Sequence, residues 1–159
     1  MDAIEKHRRY TQCGENIRAL IAGETDEIAV LATVAAELNQ AFPHFHWVGF
    51  YRLVGEKILK VGPYQGAHGC LTIPFERGVC GRCASDKLTQ IVADVTLVPY
   101  HIACSGSTRS EIVVPVLDGR GELRAVLDID SDIPDSFDGV DQEALELLAR
   151  EVGKSCWGR

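Results

Sequence analysis

Apolar residues near both ends of the chain recur with the period of an α-helix. A polar, helix-favouring segment runs to about Ile21, and Asp26 is a candidate N-cap for a second helix that Pro43 ends. The spacing of three and four positions predicts one buried stripe on this second helix. That stripe consists of Ile28, Leu31, Ala35, Leu38 and Phe42. A last helix after Asp138 has a similar predicted stripe. Its members are Val140, Ala144, Leu147, Leu148 and Val152.

The middle of the chain has the composition and alternation of β-strands. Residues 45–53 are rich in aromatic and β-branched side chains, and residues 57–61 form a return strand after a turn at Gly55. The turn at 118–121 joins two further strands, 111–117 and 122–131, into a predicted hairpin.

Residues 62–110 are irregular and rich in Gly, Pro, Ser and His. Short strand-like pieces occur at 71–73 and 90–93, and a short helix is predicted at about 80–85. Irregular segments of this length in compact domains usually carry function.

Helices at the two ends and hairpins between them predict an α+β fold, with a mostly antiparallel sheet on which the terminal helices pack. The length of 159 residues, without a repeat or linker, favours one domain over residues 1–159.

The charge balance excludes some partners. Sixteen basic and 23 acidic residues give a net charge of −7, which argues against a nucleic-acid backbone or an anionic membrane surface as the partner. No apolar run is long enough for a membrane span, and the first residues lack a secretory signal pattern. We therefore expect a cytoplasmic protein.

Strand alternation gathers three carboxyl groups. Leu123, Ala125, Leu127 and Ile129 share one face of their strand, whereas Asp128, Asp130 and Val126 share the other. Pairing about the hairpin turn brings Glu111 near both aspartates. Three such acids repel one another unless a ligand ammonium, a metal or a bound proton lies among them. The alternative is a solvated strand end.

Six cysteines are many for a chain in a reducing compartment. Cys80 and Cys83 form a C-x-x-C that suits a redox dithiol or half of a zinc site, yet neither a second C-x-x-C nor a thioredoxin-like context accompanies it. A zinc site would need Cys70, Cys104, His68 and His101 as further ligands. Alternatively, Cys104 is a nucleophile activated by the nearby His101. Cys13 and Cys156 suit small buried apolar positions.

Aromatic residues mark the first predicted strand. Trp47, Gly49 and Tyr51 share one face of it. Such residues are usually part of a core, but they also suit the wall of an apolar slot for a thioether-like group.

Six segments together resemble the GAF-domain free methionine-(R)-sulfoxide reductases, over about residues 15–152. They are His46–Tyr51, Val61–Gly66, Gly78–Gly81, His101–Cys104, Ser110–Pro115 and Val126–Ser131, with Phe137 and Asp138 following. A generic GAF domain would share this layout without the spacing of Cys70, Cys80 and Cys104.

The resemblance implies an enzyme that reduces free L-methionine-(R)-sulfoxide rather than protein-bound residues. Cys104 matches the cysteine that attacks the sulfoxide sulfur, and Cys70 matches the one that resolves the sulfenic acid as a disulfide. Cys80 matches a third family cysteine, an alternative resolver. Cys83 and Tyr100 depart from the pattern, since the resemblance leads us to expect a small residue such as Ala and a Gly there.

The remaining site residues also follow from the resemblance. Glu111, Asp128 and Asp130 match acids that bind the substrate and polarise its S=O bond, and Trp47 and Tyr51 match pocket residues near the sulfoxide and its methyl group. The resemblance implies no bound cofactor and no metal. It implies electrons from thioredoxin, supplied by NADPH through thioredoxin reductase, and a homodimer is among the expected assemblies. The alternative function is a non-catalytic GAF-type sensor of a small molecule or of redox state.

Overall fold

Six strands form one antiparallel sheet with helices on both faces, in a computed structural model that describes residues 1–101 and 104–158. The strand order is β3-β2-β1-β6-β5-β4, and every neighbouring pair is antiparallel. The helices are α1 (Ala3–Leu20), α2 (Glu27–Ala41), α3 (Gly78–Asp86) and α4 (Gly139–Trp157). The strands are β1 (Trp47–Val54), β2 (Ile58–Gln65), β3 (Thr72–Pro74), β4 (Gln90–Val92), β5 (Ser110–Leu117) and β6 (Leu123–Ser131). The predicted α+β class is confirmed.

Aspartate side chains cap the three longer helices at their amino ends. Asp2 accepts from the backbone N–H of Glu5, and the predicted N-cap Asp26 accepts from that of Ala29. Asp138 accepts from the first turn of α4. Each cap satisfies an amide that would otherwise lack a helical partner. In the part of the chain that the structure describes, no helix is long and apolar enough to cross a membrane.

The two faces of the sheet carry separate apolar clusters. Ala125, Leu127 and Ile129 belong to the larger cluster, which α1, α2 and α4 cover. Val126 belongs to the smaller cluster beneath α3. Leu123 also packs in the smaller cluster, so its predicted face was wrong, because the β5–β6 register shifts at Val116 and Leu117. The larger cluster supplies most of the core and leaves the α3 face available for a site.

Two predicted stripe positions are exposed instead. Ile28 is 47% exposed and Leu147 is 49% exposed. At 100° per residue, Ile28 lies at the edge of the stripe that centres on Leu31 and Leu38. In α4 the buried stripe is shifted to Asp141, Leu145, Leu148, Ala149 and Val152. The charged residue Asp141 begins this stripe, so a search for apolar positions alone did not identify the buried face.

A buried ion pair with Lys6 explains why Asp141 lies in the core. Lys6 of α1 is 5% exposed, and its ammonium donates to the Asp141 carboxylate, to Asp138 Oδ2 at 2.9 Å and to the Ser136 carbonyl at 3.2 Å. Tyr10 Oη donates to Asp141 Oδ1 at 2.8 Å. These bonds fix α1 against the amino end of α4.

Replacing Lys6 with Met should lower the free energy of unfolding by about 3–5 kcal/mol, because the substitution leaves the Asp141 carboxylate buried without its cation. The matched control is Lys154→Met at an exposed α4 position, which should change the free energy by less than about 0.5 kcal/mol. Urea denaturation of both variants measures the difference. Equal effects of the two substitutions would show that the buried ion pair does not hold α1 in place.

Candidate active site

The hairpin of β5 and β6 brings the three predicted acids onto the α3 face of the sheet. Glu111 lies directly opposite Asp130, and Asp128 lies opposite Val113, two pairs further along the ladder and on the same face of the sheet. The register therefore places Glu111 near both aspartates, as strand alternation predicted. On the other side of β6, Asp130 pairs with Trp47 of β1.

Burial dominates the electrostatics of these acids. Glu111 and Asp128 are each 5% exposed, and burial is the largest cause that raises the pKa of both carboxyls and of Asp130. Repulsion among the three acids raises the values further. A hydrogen bond between Asp128 and Glu111 favours the proton on Asp128, which donates to the Glu111 carboxylate.

Basic neighbours do not offset this charge. Among residues 1–101 and 104–158, no lysine or arginine forms an ion pair with the three acids, and the basic contact is His101, whose Nδ1 lies 3.5 Å from Glu111 Oε2. Glu111 Oε2 and Asp128 Oδ1 have no hydrogen-bond donor that meets geometric criteria in the described structure. The cluster is suited to hold a proton or to receive the cation of a ligand.

Cys80 reaches the same acids from α3. Its Sγ and one oxygen each of Glu111 and Asp128 all lie within 4.8 Å of one another. Gly81 permits this approach, because a Cβ there would lie 2.7 Å from the backbone oxygens of Pro74 and Phe75. A divalent ion would fit the spacing. Burial and the neighbouring acids raise the pKa of the Cys80 thiol, which favours its protonated form.

Two stacked aromatic rings form one wall of the cavity that the three acids line. The Trp47 and Tyr51 ring centroids are 5.7 Å apart, and Trp47 Nε1 donates to the Ala67 carbonyl at 2.9 Å. Gly49 between them leaves room for the Trp47 ring, which a Cβ at this position would overlap. Both aromatic side chains are almost fully buried and also line the cavity, so the core and wall interpretations hold together.

A disulfide joins Cys70 to Cys104, with 5.3 Å between the two Cα atoms. The thiols of Cys80 and Cys83 are free and buried. Cys83 donates to the Val113 carbonyl at 3.5 Å, and burial raises its pKa, which is the environment of a packed, unreactive thiol. The four cysteines of the irregular segment are therefore not assembled as a zinc-ligating set. Cys13 lies in the larger core cluster, as expected.

One cavity unites these groups. Its cavity volume is about 30 Å³, and the surrounding void, counted together with the open solvent at its mouth, is about 470 Å³. The predicted site residues that line it are Trp47, Tyr51, Cys80, Cys104, Glu111, Asp128 and Asp130. Cys70 joins through its disulfide. Further lining residues had no predicted role in substrate binding; they include Gly69, Thr108 and His68, which the sequence analysis considered only as a zinc ligand. His101 also lines the cavity. Its position three residues before Cys104 is the sequence feature that identified it as a candidate base for that thiol.

The chain matches the model of the GAF domain family over residues 24–154. A free methionine-R-sulfoxide reductase of Escherichia coli is 36% identical over 151 residues, which cover 95% of this chain and 90% of the relative. A free methionine-R-sulfoxide reductase of Saccharomyces cerevisiae is 50% identical over 113 residues. That match covers 70% of this chain and 63% of the yeast protein, so it spans less than two thirds of that relative's length.

The solved structures include a free methionine-R-sulfoxide reductase from Neisseria meningitidis in complex with its substrate. It superimposes with a TM-score of 0.87 at 44% sequence identity, over 92% of this chain and 87% of that structure. The similarity therefore extends through the sheet and helices that build the cavity.

Replacing Glu111 with Gln should stabilise the protein at alkaline pH. A carboxyl with a raised pKa binds its proton more tightly in the folded state, so stability falls as pH rises above its ordinary value of 4.5. We expect a gain on the order of 1 kcal/mol at about pH 8 that disappears near pH 4. The control is Glu143→Gln at an exposed position of α4. A lower free energy of unfolding at pH 8 in Glu111→Gln than in the wild type would contradict the conclusion that burial raises the pKa of Glu111.

Proposed function

Because this chain belongs to the GAF-domain family of free methionine-(R)-sulfoxide reductases, we propose that it reduces free L-methionine-(R)-sulfoxide to L-methionine through a cysteine sulfenic acid. The observation that carries the proposal is the Cys70–Cys104 disulfide at a cavity lined by three acids, of which Glu111 and Asp128 are buried. A sensor of a small molecule needs the pocket but has no use for a disulfide at its edge.

The cavity lining offers a favourable contact for each charge of a zwitterion. The substrate ammonium would be attracted to the acids of β5 and β6, whose charge no described lysine or arginine balances. The amino end of α3, residues 78–80, also lines the cavity and has no side-chain cap. Free backbone N–H groups at a helix amino end favour an anion, which suits the substrate carboxylate.

The aromatic wall suits the sulfur end of the substrate. Trp47 and Tyr51 offer ring faces and edges, against which a thioether methyl packs well. A peptide-bound methionine sulfoxide would place amide groups where the charged ends bind, and it would need room for the adjoining chain. The cavity therefore favours the free amino acid over a protein residue.

The first chemical step balances without an outside reductant. The Cys104 thiol and the sulfoxide give the thioether and a Cys104 sulfenic acid; the S=O bond breaks, and the oxygen moves to the cysteine sulfur. Asp128, held protonated by burial and by its bond to Glu111, supplies the proton that the oxygen needs. A buried carboxyl with a raised pKa is suited to act as this acid.

The second step forms the disulfide. The Cys70 thiol attacks the sulfur of the Cys104 sulfenic acid and releases water, which gives the bridge seen in the structure. A dithiol reductant then restores both thiols, and we propose thioredoxin, with electrons from NADPH through thioredoxin reductase. A reducing compartment such as the cytoplasm suits this cycle. The homodimer stays a prediction.

Purified enzyme should consume NADPH, in the presence of thioredoxin and thioredoxin reductase, with the free R epimer of methionine sulfoxide. It should consume none with the S epimer or with a methionine sulfoxide peptide. Cys104→Ser should abolish turnover because it removes the nucleophile, and the control Cys156→Ser should retain it. Ligand binding without turnover by the wild type would instead favour a sensor, and wild-type rates in Cys104→Ser would refute the nucleophile.

Cys70 and Cys80 can be separated in a single turnover without added reductant. Cys70→Ser should release one equivalent of methionine and leave a sulfenic acid that dimedone traps, because its resolving thiol is missing. Cys80→Ser should form the disulfide at close to the wild-type rate. The readout is the mass of the protein after quenching. Efficient disulfide formation in Cys70→Ser, with loss of it in Cys80→Ser, would reverse the assignment.

A further inference from the structure

His101 connects the edge of the cavity to its buried acids. Its side chain is 14% exposed, and Nδ1 lies 3.5 Å from Glu111 Oε2. It lines the same cavity as Cys104, which follows three residues later in the chain. We propose that His101 carries the proton from the Cys104 thiol to Glu111 during sulfoxide reduction. This assignment rests on the function proposed above.

The contact between His101 and Glu111 is close enough to become a hydrogen bond when substrate binds. At 3.5 Å it is longer than a good hydrogen bond, as catalytic hydrogen bonds commonly are before a substrate binds. Glu111 Oε2 has no other donor within hydrogen-bond geometry in the described residues. The oxygen is therefore open to His101, while the same carboxylate receives the Asp128 proton.

The surroundings keep the imidazole neutral until it takes a proton. Burial lowers the pKa of His101, and a neutral imidazole has one donor nitrogen and one acceptor nitrogen. A donor Nδ1 directed to Glu111 leaves Nε2 to accept the thiol proton. Titratable groups lining the cavity from the packed elements are Glu111 of β5, Asp128 and Asp130 of β6, Tyr51 of β1, Cys80 of α3, and His68. The carboxyls among them would stabilise the imidazolium once it forms.

Proton transfer through His101 closes the balance of the first step. The thiol proton moves from Cys104 to His101, while Asp128 gives its proton to the sulfoxide oxygen. The imidazolium then returns a proton to the Glu111–Asp128 pair across the 3.5 Å contact. The step consumes no net proton, and the buried acids recover their starting state without access to water.

The variant His101→Asn distinguishes a role of His101 in proton transfer from a role in holding the structure of the site. Its amide can still donate to Glu111 from near the Nδ1 position, but it cannot accept a proton. In single turnovers from about pH 6 to 9, we expect sulfoxide reduction at pH 7 to slow by about 100-fold with KM within about twofold. The deficit should shrink with rising pH, since the thiolate then forms without a base. His7→Asn, exposed on α1, is the matched control and should behave as wild type.

Two results would overturn the proposal. One is a wild-type rate in His101→Asn across the pH range. The other is a loss that is equal at every pH and accompanied by a raised KM, which would show a structural role.

Alkylation of Cys104 by iodoacetamide tests His101 without any sulfoxide turnover. In reduced protein carrying Cys70→Ser and Cys80→Ser, His101→Asn should slow alkylation of Cys104 several-fold at pH 7, and the two rates should converge at high pH. Mass spectrometry of the Cys104 peptide gives the rates. If His101→Asn slows the alkylation of Cys104 but the wild type does not reduce sulfoxide, the proposed function is refuted and proton transfer from Cys104 to His101 is supported. If the wild type reduces sulfoxide but His101→Asn does not slow alkylation, the proposed function stands and the role of His101 is refuted.

Discussion

Three carboxyl groups that meet on two adjacent strands, two of them buried and the third half-buried, are the constraint on which the site depends. Glu111, Asp128 and Asp130 lie on one face of β5 and β6, and in residues 1–101 and 104–158 no lysine or arginine pairs with them. Burial makes their ionised forms costly and raises the pKa of each carboxyl, which favours a proton held among them. The same cost makes the cluster attractive to an ammonium group. In the function proposed for this chain, acid catalysis and recognition of a zwitterion both depend on these carboxyl groups, and the rest of the fold must offset the free-energy cost of burying them.

The division of the sheet into two apolar clusters makes that arrangement tolerable. Three helices cover the face opposite the acids and build the larger cluster, and the Lys6–Asp141 ion pair fixes α1 there. On the other face of the sheet, helix α3 packs closely against the chain at the end of β3. Gly81 lets α3 approach the backbone after β3, which brings Cys80 to the acids. The Cys70–Cys104 disulfide lies in the irregular segment at the edge of the cavity, and both cysteines are partly exposed.

Local periodicity predicted the fold class and the convergence of the acids, because strand alternation and a tight turn fix which side chains share a face. It failed where a polar residue occupies a buried stripe: Asp141 hid the true face of α4, since its partner Lys6 lies 135 residues away. The pairing of Cys70 with Cys104 came from family resemblance, because spacing alone permits several pairings. The contact between His101 and Glu111 depends on how a loop packs against a strand, which no local pattern encodes.

Infrared difference spectroscopy of the protonated carboxyl groups tests the shared buried proton most directly. The spectrum of reduced, substrate-free wild type at pH 7 is compared with that of Asp128→Asn. The account predicts a protonated-carboxyl C=O band in the wild type that is lost in Asp128→Asn and shifts when free methionine sulfoxide binds. A wild-type spectrum that shows only ionised carboxylates at pH 7 would contradict it.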